Sequence, residues 1–209
     1  MTIVLVLGFI SNNINVYAEE VSGDVVDITE AKDDVGVTDS QTTSVSCIAI
    51  EEERKGKEYL AKVEQEEEEF KALVSRYFSE DDVVMLAQLI DIEANSVYPL
   101  RNRAAVGWTV VNRVDNGRWG PTTISGIITQ PGQYAWYAGR SYSQTNYDIA
   151  LDVLTRWATE QIEGAPNFGR VLPPNYDCFY GDGVQNHFYD EDGNYWDFSV
   201  VNDPYEHWE

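Results

Sequence analysis

Histidine and cysteine are scarce, with two of each in 209 residues. A zinc site needs three or four ligands at suitable spacing. His187 and His207 stand in separate contexts, so neither a metal site nor a cofactor is expected. A Cys-His peptidase needs a thiolate beside a base. Cys178 with His187 is the sole candidate pair, and both fall in a predicted hairpin region rather than at a helix N-terminus, which favours a structural role. Cys47 and Cys178 are free to pair in an exported chain, but Cys47 lies in a Ser/Thr-rich stretch with little to hold it, and pairing is not deducible from sequence.

Positive charge is the next deficit. Fourteen Lys and Arg face 36 Asp and Glu, a formal net charge of −22, which makes nucleic acid and anionic membrane poor partners. No stretch approaches the roughly twenty apolar residues of a membrane-spanning helix, so no transmembrane segment is expected. The short apolar run from Ile3 to Ile10, followed by Val16-Tyr17-Ala18, fits a signal peptide cut after Ala18. Residues 1–18 are so read, and the protein is expected to be secreted, extracellular or cell wall associated. Lysine is absent after Lys71 and tryptophan before Tyr98, so two segments of different character meet near residue 80.

Residues 19–50 are polar, acidic and without periodicity, and read as a disordered linker. From 51 to 78 the pattern becomes a charged helical arm. Glu51/Lys55, Glu53/Lys57, Glu58/Lys62 and Glu67/Lys71 place acid before base four apart. A thin apolar stripe, Leu60, Val63, Phe70, Leu73, Val74 and Tyr77, accompanies them. This arm is a candidate for recruiting a protein partner.

Residues 79–209 have the aromatic content of a packed domain. Ser79 and Asp82 form a helix-start signature, and apolar spacing predicts a helix over 80–94, stopped before Pro99. A second helix, about 101–115, is apolar nearly all round and therefore central; Ala104, Ala105 and Gly107 would admit a close neighbour. A third starts near Thr145, with Asp148 completing a capping pattern, and stops at Gly164. "HFYDEDGNYWDF" reads as two strands joined by an Asp-Gly turn. Its DEDGN lacks the twelfth-position glutamate of a calcium loop. The fold expected is mainly α (α+β), a helical domain with a small C-terminal β-hairpin.

Glu93 ends the first of these helices on the face of Leu86, Leu89 and Ile90. A carboxylate there loses hydration, which raises its pKa, as a general acid requires. A surface glutamate on a frayed last turn is the plainer reading, and the residues alone leave both open.

Three segments in order, "EANSVYPLRNRAAVGWTVVNRV", "QPGQYAWY" and "FYGDGVQNHFY", resemble successive blocks of the bacterial cell wall hydrolase family typified by spore cortex-lytic enzymes. The resemblance covers about residues 82 to 190. It implies a lysozyme-like domain that cleaves the glycan strand of peptidoglycan, with Glu93, the glutamate of the Glu-Ala pair, as catalytic acid. The family's Asn-Arg helix ending corresponds to Asn112 and Arg113. Gln133 and Tyr134 correspond to a cleft wall, and Asn186, His187 and Tyr189 to the closing block. For a glycan, Tyr134, Trp136 and Tyr137 become sugar-stacking walls. The departure "PLRNR" points to vegetative wall rather than spore cortex. Asp91 lies about 160° around the helix from Glu93, and Asp115 and Asp148 belong to other segments. The lone acid fits the resemblance to lytic transglycosylases, with a muramidase as the hydrolytic counterpart. A non-catalytic peptidoglycan-binding or scaffold protein is the alternative.

Overall fold

Local signals and burial agree along most of the C-terminal region. The computed structural model describes residues 39–165 and 167–208, with side chains from 51 onward apart from residue 52. The expected signal peptide and residues 19–38 of the expected linker lie outside the described residues, as does the side chain of Cys47. By its internal contacts the chain divides into units 1–72 and 73–209.

Helix α1, Asp39–Val74, starts earlier than the charge pattern predicts, so residues 39–50, read as the end of a linker, are helical. Helix propagation adds one hydrogen bond per residue once a nucleus exists, which lets the strongly helical 51–74 segment carry its weaker neighbour. Lys57 bridges Glu53 at 2.6 Å and Lys55 bridges Glu51 at 3.8 Å, as the spacing predicts, but Lys62 pairs forward with Glu66 at 3.7 Å rather than back with Glu58. Arg54 takes Glu58 instead. All these pairs are exposed, where solvent screening leaves each little net effect on stability.

The second unit holds helices α2, Glu80–Ala94, α3, Leu100–Asn116, α4, Ile124–Thr129, and α5, Gln144–Glu163. Ser79 and Asp82 close the predicted capping box at α2. At α5 the cap is Ser143, whose hydroxyl accepts from the Asn146 N–H, while Asp148 accepts from Gln144. The predicted Thr145/Asp148 cap is displaced by this earlier serine. Gly117 and Gly164 end α3 and α5 with positive φ, 65° and 63°, a conformation glycine adopts without steric cost. Val74 is buried and Tyr77 meets Trp157 edge-on at 6.2 Å, so the unit begins before Ser79.

Mainly helical with a small antiparallel C-terminal sheet is the architecture found. The strands are β1, Tyr176–Gly181, and β2, Asn186–Asp190, paired with Tyr180 opposite His187 and Phe179 opposite Phe188. The hairpin turn is therefore at Asp182-Gly183, upstream of the predicted one. At the DEDGN segment the Asp190 carboxylate accepts from the Asp192 and Asn194 N–H groups, a local turn that leaves only a single bridge, Tyr189 to Tyr195.

Helix α3 is the core. Ala104, Ala105, Val106, Trp108, Val110 and Val111 are fully buried, each large apolar side chain contributing about 1.5–3 kcal/mol. A Cβ at Gly107 would stand 3.4 Å from Val153 and 3.6 Å from Ile90, ordinary contact distances. Gly107→Ala should therefore be neutral or stabilising by up to about 1 kcal/mol through helix propensity, whereas Gly107→Leu should destabilise by about 1–3 kcal/mol through overpacking between α2 and α5. Urea unfolding of both variants tests the pair.

Candidate functional site

At the C-terminal end of α3 a charged side chain is buried. Arg113 is 5% exposed, and a buried guanidinium persists only if its donors are satisfied. Its Nε donates to the Asp177 carbonyl at 2.8 Å and its Nη1 to Gln133 Oε1 at 3.2 Å. The rings of Trp119 and Tyr134 lie 4.3 and 4.6 Å from its carbon centre. The neighbouring Asn112 donates to the carbonyls of Pro173 and Tyr176 at 2.8 and 2.7 Å and accepts from Arg170. The Asn-Arg pair thus fastens α3 to β1 and to the loop that carries Gln133 and Tyr134.

That loop reaches Glu93. The Ala135 N–H donates to Glu93 Oε1 at 2.8 Å, and Asn186 at the start of β2 donates its amide to the Glu93 main-chain carbonyl at 3.1 Å. Glu93 is half-buried, less than its helix face suggests, while Leu86, Leu89 and Ile90 are fully buried. The last turn carries it to the edge of the core, where a carboxylate meets both protein and solvent. An N–H can only donate, so Oε1 is an acceptor in either protonation state and an acidic proton belongs on Oε2.

Tyr134 lies beside this carboxylate. Burial pushes its phenol up to about 12, the fields of Glu93 and Asp177 add to the rise, and Arg113 opposes it. Its hydroxyl meets Thr109 Oγ1 at 3.0 Å. Tyr134 is therefore neutral near neutral pH, and its ring is committed to Arg113 and to Phe179, 6.2 Å away. Gln133 is committed to Arg113. Trp136 is half-buried and donates its indole N–H to Gln88 at 3.1 Å. Tyr137 is 54% exposed and accepts from Arg140.

The structure therefore brings Glu93, the 133–135 loop and Asn186 together. His187 and Tyr189 alternate with the buried Asn186 and Phe188 along β2 and so lie on its other face. Three contributors escaped the sequence reading. Ala135 acts through its backbone, which leaves no side-chain signature. Thr109 and Asp177 are polar residues in apolar or strand contexts, recognisable only once their partners are in place.

Asp91, Asp115 and Asp148, the other carboxylates weighed from the sequence, are engaged elsewhere. Asp91 accepts from Asn146 at 3.1 Å and from Arg140 at 3.2 Å. Asp115 accepts from Trp157 and Arg170, and Asp148 from Gln144. Asp177 is fully buried and accepts from Arg118, from Trp119 at 2.9 Å and from Asn116. Burial raises its pKa, but hydrogen bonds from Arg118, Trp119, Asn116 and Cys178 outweigh this and hold it below the usual range. Cys178 itself is a free thiol whose pKa burial pushes up. Among the described residues no cluster of His, Cys, Asp and Glu could hold a metal.

A depressed folded pKa means that Asp177 stabilises the fold fully above its unfolded value of about 3.9, and that this is lost as pH falls through the folded value. Asp177→Asn should cost about 3 kcal/mol at neutral pH, the scale of a broken buried ion pair. The gap between variant and wild type should narrow in acid. Denaturant melts at pH 7 and pH 3 measure both effects.

No curated protein and no solved structure matches the chain. Residues 99–178 match a family model described as Cell Wall Hydrolase, a span that takes in α3, the Arg113 clamp and the loop that holds Glu93, with Glu93 itself before it and β2 after it, and this match supports a peptidoglycan-cleaving function.

Proposed function

We propose that the chain is a wall-associated enzyme that cleaves the glycan strand of peptidoglycan by a lytic transglycosylase mechanism, with Glu93 as its single catalytic acid and base. The observation that carries this reading is the 2.8 Å hydrogen bond from Ala135 to Glu93 Oε1. It joins the QPGQYAWY segment to a half-buried carboxyl and leaves Oε2 to exchange the proton.

Glu93 protonates the glycosidic oxygen as its bond to C1 of the N-acetylmuramic acid residue breaks. The resulting carboxylate then takes the proton from the 6-hydroxyl of that sugar as O6 bonds to C1. No water is consumed, and one carboxyl serves both steps. Hydrolysis would need a second carboxylate about 5 Å away, or 6.5–9.5 Å for inversion. The engagement of Asp91, Asp115, Asp148 and Asp177 with other partners supports the lone acid. Such a substrate lies outside the cytoplasm, consistent with the export expected from residues 1–18.

Glu93→Gln should lower wall cleavage by about 10²- to 10⁴-fold with an unchanged melting curve, and wild-type digests should contain 1,6-anhydromuropeptides, each lighter by one water than a hydrolytic product. Mass spectrometry of digested peptidoglycan reads this directly. Reducing-end products alone would overturn the transglycosylase step in favour of a muramidase. Full activity in the variant would remove Glu93 from the mechanism.

A further inference from the structure

The outer face of the hairpin carries four aromatic rings that the Glu93 site does not use. Tyr180 and His187, cross-strand partners, stack with centroids 5.0 Å apart and planes at 21°. Tyr195 stands edge-on to both, at 6.3 and 6.4 Å, and Tyr189 lies 6.0 Å from Tyr195 and 6.4 Å from Tyr180. Tyr180 is 46% and Tyr195 61% exposed. The rings brace one another, so little side-chain entropy remains to be lost on binding.

Their rim is polar and acidic. Asp182 accepts from the Val184 and Gln185 N–H groups at 2.8 and 2.9 Å and pairs with His187 at 2.7 Å. Glu191 and Asp192 occupy the adjacent turn. Rigid aromatic surface beside a fixed carboxylate suits a ligand with one apolar face and a hydroxyl edge. The acidic rim and the net charge of −22 disfavour polyanions. The face is the reverse side of the strand whose first residue, Asn186, holds the Glu93 carbonyl.

We infer that this face is a second glycan-binding surface, separate from the Glu93 site, on which uncharged pyranose residues of a wall glycan stack against Tyr180 and Tyr195. The assignment rests on the peptidoglycan reading for the source of the glycan but not on the role of Glu93. It makes the hairpin two-sided, with Asn186 facing the scissile region and the aromatic face gripping sugar beyond it.

The test uses full-length protein and purified insoluble peptidoglycan in a co-sedimentation assay, with Glu93→Gln in every sample to prevent digestion. Tyr180→Ala combined with Tyr195→Ala should weaken sedimentation about tenfold. The corresponding pair of Phe substitutions should retain binding, since the rings remain. Without Glu93→Gln, the double Ala variant should cleave short soluble glycan fragments at the wild-type rate and intact wall more slowly. Undiminished wall binding by a double Ala variant with a wild-type melting curve overturns the inference. Failure of the parent protein to bind wall at all overturns the peptidoglycan reading together with it.

Discussion

Burying a guanidinium at the end of an otherwise apolar helix imposes a demand that the rest of the second unit meets. Arg113 is enclosed by Trp119 and Tyr134 and bonded to the Asp177 carbonyl and Gln133. A cation removed from water without such partners would cost several kcal/mol, so each partner is held in one place. The loop through Gln133 and Tyr134 cannot shift without exposing the charge or leaving it unpaired. Ala135, next in that loop, is thereby aimed at Glu93. Placement of the candidate acid is thus a consequence of satisfying a different residue.

Around this clamp the polar groups form linked networks rather than isolated pairs. Asn112 connects to Arg170, which bonds Glu160 and Asp115 and lies 4.6 Å over the Trp108 ring. Burial raises the pKa of Glu160, and Arg170 opposes the rise. Asp177 gathers Arg118, Trp119 and Asn116. Among α2, α3 and α5 the buried contacts are mainly apolar, crossed by the Asp91–Asn146 and Asp115–Trp157 hydrogen bonds. The division suits a site that needs fixed geometry, because hydrogen-bonded networks specify direction while apolar packing supplies most of the stability.

The hairpin adds a second use of strand alternation. Asn186 and Phe188 face inward, toward Glu93 and the core, while Tyr180, His187, Tyr189 and Tyr195 form the outer aromatic face. A polymeric substrate makes such a layout useful, since the bond that breaks and the sugars that anchor the strand lie at different points along one chain. In the proposed mechanism Glu93 would need only to exchange a proton at a fixed position, with the proposed outer face supplying affinity.

By itself the sequence determined three of the four α-helices of the second unit, because their signals are local; the short α4, Ile124–Thr129, was not legible in it. Ser79 with Asp82, and Gly164, act through neighbouring backbone groups, and the apolar spacing of α2 and α3 encodes which faces are buried. The mainly helical class with a small C-terminal hairpin followed, and Glu93 was legible as a carboxyl at the end of an apolar helix face. Tertiary structure decided what depends on distant partners. It set the hairpin turn at Asp182-Gly183 because the second Asp-Gly segment is closed on itself by Asp190. It turned Tyr134 from an open stacking wall into a half-buried brace on Arg113, and gave Glu93 a backbone donor from a residue 42 positions away. It also separated Asn186 from His187, neighbours in sequence, onto opposite faces of one strand. Periodicity reports which side of an element faces inward. What stands opposite, and which hydrogen bonds it must satisfy, is fixed only when the chain closes on itself.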